Sequence, residues 1–88
     1  MEDLEIKRKR LHFRAWHRGT RELDLIMGSF ADRYIGDFTA GQLDQFEALL
    51  ALSDPDVYNW ITGVEDPPAN LQNDIFELLK SHRLAKSS

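Results

Sequence analysis

Apolar residues recur along this chain at intervals of three and four, the period of an α-helix that buries one face. The clearest stripe is Leu23, Ile26, Met27, Phe30 and Tyr34, which fall one above another on a single side of a helix. Thr20, just ahead of it, can cap the first turn through its hydroxyl, and Gly36 offers a stop. Upstream, roughly from Asp3 to Ala15, Leu4, Lys7, Arg8 and Leu11 share one stripe, so a first helix is expected with only a narrow apolar face. Gly19 breaks that pattern.

Three more helices follow downstream. Thr39-Ala40-Gly41-Gln42 has the spacing of a capping box, with Leu43, Phe46, Leu49 and Leu50 as the apolar face behind it. Ser53-Asp54-Pro55-Asp56 restarts the chain. Asp54 is the expected cap and Pro55 suits the first turn, where its missing N–H costs nothing. Val57, Trp60 and Ile61 line this short fourth helix, and Gly63 ends it. Pro67-Pro68 marks a loop. A last helix is expected from about Asn70, with Leu71, Ile75, Leu78 and Leu79 inward and a frayed tail from about Leu84.

No segment alternates apolar and polar residues as a strand would, and the aromatic-rich run Val57 to Trp60 is short and proline-capped. The pattern therefore predicts an all-α fold, a compact bundle of about five short helices, with residues 1–88 forming one domain. The length of 88 residues agrees with that. With no cysteine, the chain has no disulfide, no thiolate metal site and no cysteine nucleophile, and apolar packing must supply the core. No apolar run approaches the ~20 residues that cross a bilayer, so no direct membrane insertion is expected. Lys7-Arg8-Lys9-Arg10 interrupts any signal-peptide core early, which points to a cytoplasmic setting, or a mitochondrial matrix if the source is eukaryotic.

Charge changes the picture further. The net charge is −4, yet residues 1–21 carry seven Lys/Arg against three Asp/Glu, a net of +4, and residues 22–88 carry four against twelve, a net of −8. Phosphate would be repelled by most of such a molecule, so nucleic acid is not the expected partner. A protein of mixed charge suits this distribution better.

Catalytic chemistry finds little material. His12 and His17 are five residues apart, a spacing that turns them to different angles of a helix, and His82 is remote. Glu22 and Asp24 also diverge, and no Gly-rich phosphate loop is present. The informative segment is Arg10 to Asp24, where Arg14, Arg18 and Arg21 crowd a helix junction beside Glu22 and two aromatics. Two readings stay open on physical grounds. Gly19 can serve a backbone turn, Glu22 the helix dipole, and Arg18 a neighbouring carboxylate. Alternatively, a compact Arg–Gly–Glu turn with aromatics is a patch for a protein partner.

At these residues the chain resembles the succinate dehydrogenase flavinylation factors, a family marked by an RGxxE motif. Here that motif is Arg18-Gly19-x-x-Glu22, preceded by Arg10-Leu11 and followed by Leu23-Asp24. Phe30, then Gln42-Leu43 through Phe46-x-x-Leu49-Leu50, then Asp54-Pro55-Asp56-Val57-Tyr58-Asn59-Trp60 extend the likeness over about two-thirds of the chain. The resemblance implies a small helical assembly factor, not an enzyme, that promotes covalent attachment of FAD to the flavoprotein subunit of succinate dehydrogenase. Bacterial members can serve fumarate reductase as well. FAD then belongs to the client, no cofactor is bound stably, and the free factor is expected to be a monomer.

Carried over by position, Arg18, Gly19 and Glu22 are the first candidates for the client contact. Arg10, Arg14 and Asp24 come next, and Asp56, Tyr58 and Trp60 last. On this view Arg18 would meet a client carboxylate or the flavin pyrophosphate. The rival reading is a helical regulatory or antitoxin-like binding module, supported by the basic segment Lys7 to Arg21. Against it stand the acidic remainder and the lack of a clear recognition helix.

Overall fold

The computed structural model describes the backbone of residues 3–87 and the side chains of residues 3–83. Within these residues the chain forms five α-helices and two 3-10 turns, with no strand. The helices are α1 (Leu4–Ala15), α2 (Arg21–Tyr34), α3 (Ala40–Leu50), α4 (Asp54–Thr62) and α5 (Asp74–Ser87). Each begins or ends where local chemistry directs it. Asp3 accepts from the Glu5 N–H at 2.8 Å, and Thr20 caps α2 through the Leu23 N–H. Thr39 and Gln42 complete the reciprocal capping box. Gly63 closes α4 in the left-handed conformation, at φ +84°.

The core lies where these helices converge. Phe30 of α2 touches Phe46 of α3 and Phe38 of the connecting segment, with ring centroids 5.5 and 5.9 Å apart. Around them Leu11, Leu23, Met27, Leu43, Val57, Ile75, Phe76 and Leu79 are buried. Helix α1 packs against α2 and α3, and α5 closes the bundle across α2, α3 and α4. On α1 only Leu11 and Ala15 are buried, so its apolar face is as narrow as the sequence predicts.

Several expectations shift. Asp54 is not the cap of α4. Ser53 holds that position with its hydroxyl on Asp56, and the Asp54 carboxylate turns back to Arg18 instead. Helix α2 ends at Tyr34, before Gly36, and a 3-10 turn over Ile35–Asp37 tightens the exit. The last helix starts at Asp74 rather than near Asn70. A separate 3-10 turn, Ala69–Leu71, intervenes, and Asn73 accepts from the Phe76 N–H at 3.0 Å to start α5. Within α5, Ile75 and Leu79 are buried as expected, Phe76 is buried as well, and Leu78 is only half-buried. Helix α5 runs to Ser87, and the fraying expected from Leu84 falls on residues whose side chains lie outside the described ones.

Gly28 is also more than helix punctuation. It sits inside α2, where a Cβ would fall within the indole of Trp16. Trp16 lies flat against this bare stretch of helix and donates from Nε1 to Asp32 at 3.2 Å. The close approach fixes the end of α1 against α2.

Candidate functional site

The turn between α1 and α2 carries Arg18 and Gly19, and its geometry depends on a loop more than thirty residues downstream. The Arg18 side chain, 7% exposed, crosses to the α3–α4 connection. Its guanidinium donates to the Leu50 carbonyl, and to that of Leu52 at 2.7 Å. Those carbonyls lie at or just past the end of α3, where a helix leaves its last acceptors without partners. The same guanidinium pairs with Asp54 Oδ1 at 2.7 Å. Asp54 is the first residue of α4, where the helix dipole also favours a carboxylate. Arg18 thus clips the end of α3 to the start of α4 and holds both against the α1–α2 turn. Its Nε is buried with no hydrogen-bond partner among the described residues.

Gly19 has φ +118°, a backbone conformation that L side chains rarely adopt. A Cβ there would lie 3.6 Å from Asp54 Oδ2, so the backbone itself passes close to the ion pair. Asp24, one turn into α2, accepts from the Arg18 backbone N–H and ties the loop down from the other side. Arg18, Gly19 and Asp24 therefore build the turn. The Arg18 guanidinium is already engaged within the fold by Leu50, Leu52 and Asp54.

Helix α2 begins with Arg21 and Glu22 pointing outward. Both are exposed, and neither has a hydrogen-bond or ion-pair partner among the described residues. They form the rim of a groove of about 460 Å³, lined also by Thr20, Leu23, Asp54, Pro55 and Tyr58. Leu23, Pro55 and Tyr58 make its walls apolar, while Arg21 and Glu22 place one charge of each sign at its mouth. The RGxxE turn and the segment from Asp54 to Tyr58, far apart in sequence, meet in this one groove.

The other candidates lie elsewhere. Arg10 bonds to Glu47 of α3 at 2.8 Å and Arg14 approaches the same carboxylate at 4.0 Å, with Lys7 between Asp44 and Glu47. These cations knit α1 to α3 and do not line the groove. Asp56 accepts from Ser53, and Trp60 is half-buried against the core. Sequence reasoning noted Arg21 and Pro55 but did not place them among the client contacts. The available signal was Thr20: once it caps α2, the next two residues occupy the first turn, where side chains project from the helix end.

The histidines are separate and individually occupied. His12 bonds to Asp32, His17 stacks on Phe13 with centroids 4.0 Å apart, and His82 bonds to Ser29 at 2.9 Å. Among the described residues, no group of three or more His, Asp or Glu is placed to hold a metal ion. No described helix is long and apolar enough to cross a membrane.

Comparison with known proteins bears on the same residues. Residues 9–83 match the family described as a flavinator of succinate dehydrogenase. A mitochondrial succinate dehydrogenase assembly factor 2-B of Drosophila mojavensis is 37% identical over 83 residues, covering 92% of this chain and 53% of that protein. The mitochondrial succinate dehydrogenase assembly factor 2 of Dictyostelium discoideum is 35% identical over 80 residues, 91% of this chain and 57% of its own length. The chain spans about half the length of the curated relatives it matches.

Proposed function

This chain belongs to the flavinator of succinate dehydrogenase family, and from that premise we propose that it promotes covalent attachment of FAD to the flavoprotein subunit of succinate dehydrogenase. The flavoprotein of fumarate reductase is a second client under this proposal. The setting is the bacterial cytoplasm, or the mitochondrial matrix in a eukaryote. The observation that carries the reading is the groove in which the RGxxE turn meets Asp54, Pro55 and Tyr58, with Arg21 and Glu22 at its rim, unpaired among the described residues. Apolar walls with charges at the edge are the anatomy of a protein contact.

The bond-forming chemistry belongs to the client. This chain contributes binding, and binding can accelerate a reaction only if it discriminates between conformations of the partner. A client that samples its reactive arrangement rarely is drawn toward it by a helper that prefers that arrangement. A 100-fold preference shifts the balance by about 2.7 kcal/mol. The rigid turn serves this purpose, because a surface fixed in advance loses little entropy when it docks.

The test is covalent flavin fluorescence of the client subunit in a denaturing gel. The host would lack its own assembly factor and carry this chain, or its Arg21→Ala or Glu22→Ala variant. Restoration by the wild type and loss in the variants is the expected result. Failure of the well-folded wild type to restore flavinylation in a closely matched host would overturn the proposal.

A further inference from the structure

We propose that the client contact does not stop at the RGxxE turn but continues along the outer face of α2 into a second groove, with Leu25 as its apolar anchor. This rests on the client-binding reading above and extends its footprint. The second groove, about 500 Å³, is lined by Trp16, Leu25, Ile26, Ser29 and His82, with Asp32 and Arg83 as its charged members. Glu22, Leu25, Ile26 and Ser29 stand at i, i+3, i+4 and i+7, so one face of α2 joins the two grooves. At 1.5 Å rise per residue, Glu22 and Ser29 are roughly 10 Å apart along the helix.

Leu25 is 53% exposed, although the opposite side of α2 buries Leu23, Met27, Phe30 and Ala31. Lone exposed leucines are ordinary. This one lines a preformed concavity and stands one turn from Glu22, a carboxylate with no partner among the described residues. The walls of that concavity are fixed. Trp16 is pressed on Gly28 and held by Asp32. His82, 4% exposed, is bonded to Ser29 and set edge-on to Phe30 and Tyr34.

The chemistry of the occupant follows from this arrangement. Glu22 has no partner among the described residues, while Asp54 is already paired with Arg18, so it is at the Glu22 end that a basic side chain is favoured. Trp16, Leu25 and Ile26 favour an aliphatic or aromatic side chain at the other. The fitting partner is a segment of the flavoprotein subunit that presents a cation and an apolar group roughly 5 Å apart along its length, to match Glu22 and Leu25. About one turn of helix or two residues of extended chain span that distance.

The experiment measures affinity between the purified chain and the apo-flavoprotein subunit, at two salt concentrations. The variants are Leu25→Glu, Leu25→Ser, Glu22→Lys and, as a control on an exposed apolar residue in the α4–α5 connection, Val64→Glu. Leu25→Glu should weaken binding roughly tenfold or more, Leu25→Ser several-fold, and Val64→Glu hardly at all. Glu22→Lys should also weaken it, with a reduced salt dependence. Should Leu25→Glu lose helicity, Leu25→Ser carries the comparison. Wild-type affinity in both Leu25 variants, with loss in Glu22→Lys, would confine the contact to the turn and overturn this inference alone. Wild-type affinity in all four would overturn the client-binding surface itself. A change in self-association of the chain, with client affinity unaltered, would make the α2 face a contact between copies and overturn the inference as well.

Discussion

Replacing Arg18 by methionine tests the central structural claim, that this side chain pins three segments together rather than meeting the client. Methionine keeps much of the length and removes the charge. The substitution strands the Asp54 carboxylate, which is 14% exposed, and frees the Leu50 and Leu52 carbonyls. Removing one partner of a buried ion pair costs about 3–5 kcal/mol. The position of Asp54 at the start of α4 relieves part of this through the helix dipole, which argues for the lower end, about 3 kcal/mol. Native stability for a chain of this length is roughly 4–13 kcal/mol, so the loss is a large share of the whole. At about 4–8 °C per kcal/mol, the melting temperature should fall by about 12–24 °C. Thermal and urea unfolding followed by circular dichroism would measure it. In a double-mutant cycle, Asp54→Leu added to Arg18→Met should recover part of the loss, because the stranded charge is gone. A variant that melts within a few degrees of the wild type, or a cycle without coupling, would refute the clip.

The remaining predictions separate packing from exposure. Gly28→Ala should destabilise by about 1–3 kcal/mol by driving a methyl into Trp16, and should alter tryptophan emission. Gly41→Ala, whose new methyl meets only Thr39 Oγ1 at 4.0 Å, should be neutral or stabilising by up to about 1 kcal/mol. If both glycines behave alike in thermal melts, the Trp16–Gly28 approach is misplaced. Gly19→Arg should lower both the melting temperature and flavinylation, because φ +118° is costly for any side chain, by about 1–3 kcal/mol. Glu22→Ala should lower flavinylation at an unchanged melting temperature. Equal thermal losses in the two would contradict the division between turn and rim. The hydrogen bond from Lys7 to Asp44, helped by the charges of Asp44 and Glu47 and opposed by partial desolvation, raises the Lys7 ammonium above its ordinary 10.5. Its contribution to stability is thus complete below the ordinary lysine value and disappears as pH rises through the raised one. Urea midpoints of the wild type and Lys7→Met should differ at neutral pH and converge in strong alkali.

How much could be read from the chain alone depended on the range of each interaction. The caps at Thr20 and Thr39 and the stop at Gly63 were legible because they act within one helical turn. The stripe through Leu23, Met27 and Phe30 was legible because period fixes which face turns inward. Asp54 was misplaced because the local rule makes it a cap, while Arg18, thirty-six residues upstream, claims its carboxylate. Gly28 escaped notice because its constraint comes from a tryptophan on another helix. The start of α5 was placed early because Leu71 fits the helical period of Ile75 and Leu79 across a break that period alone cannot reveal.

These distinctions bear on what the RGxxE motif is for. A motif read as one contact surface suggests that each of its residues touches the partner. The geometry divides it in two. Arg18 and Gly19 are committed to building the turn, one by an ion pair and two carbonyls, the other by a backbone angle. Glu22, beside Arg21, stands on the rim they create with no partner among the described residues. Under the proposed function the first pair sets the shape and the second presents the chemistry, so losing either should lower flavinylation by different routes. Activity alone therefore cannot assign a residue of this motif to the interface. Only activity measured together with stability can, and on that criterion Glu22 and Arg21, not Arg18, are the residues that should report on the client.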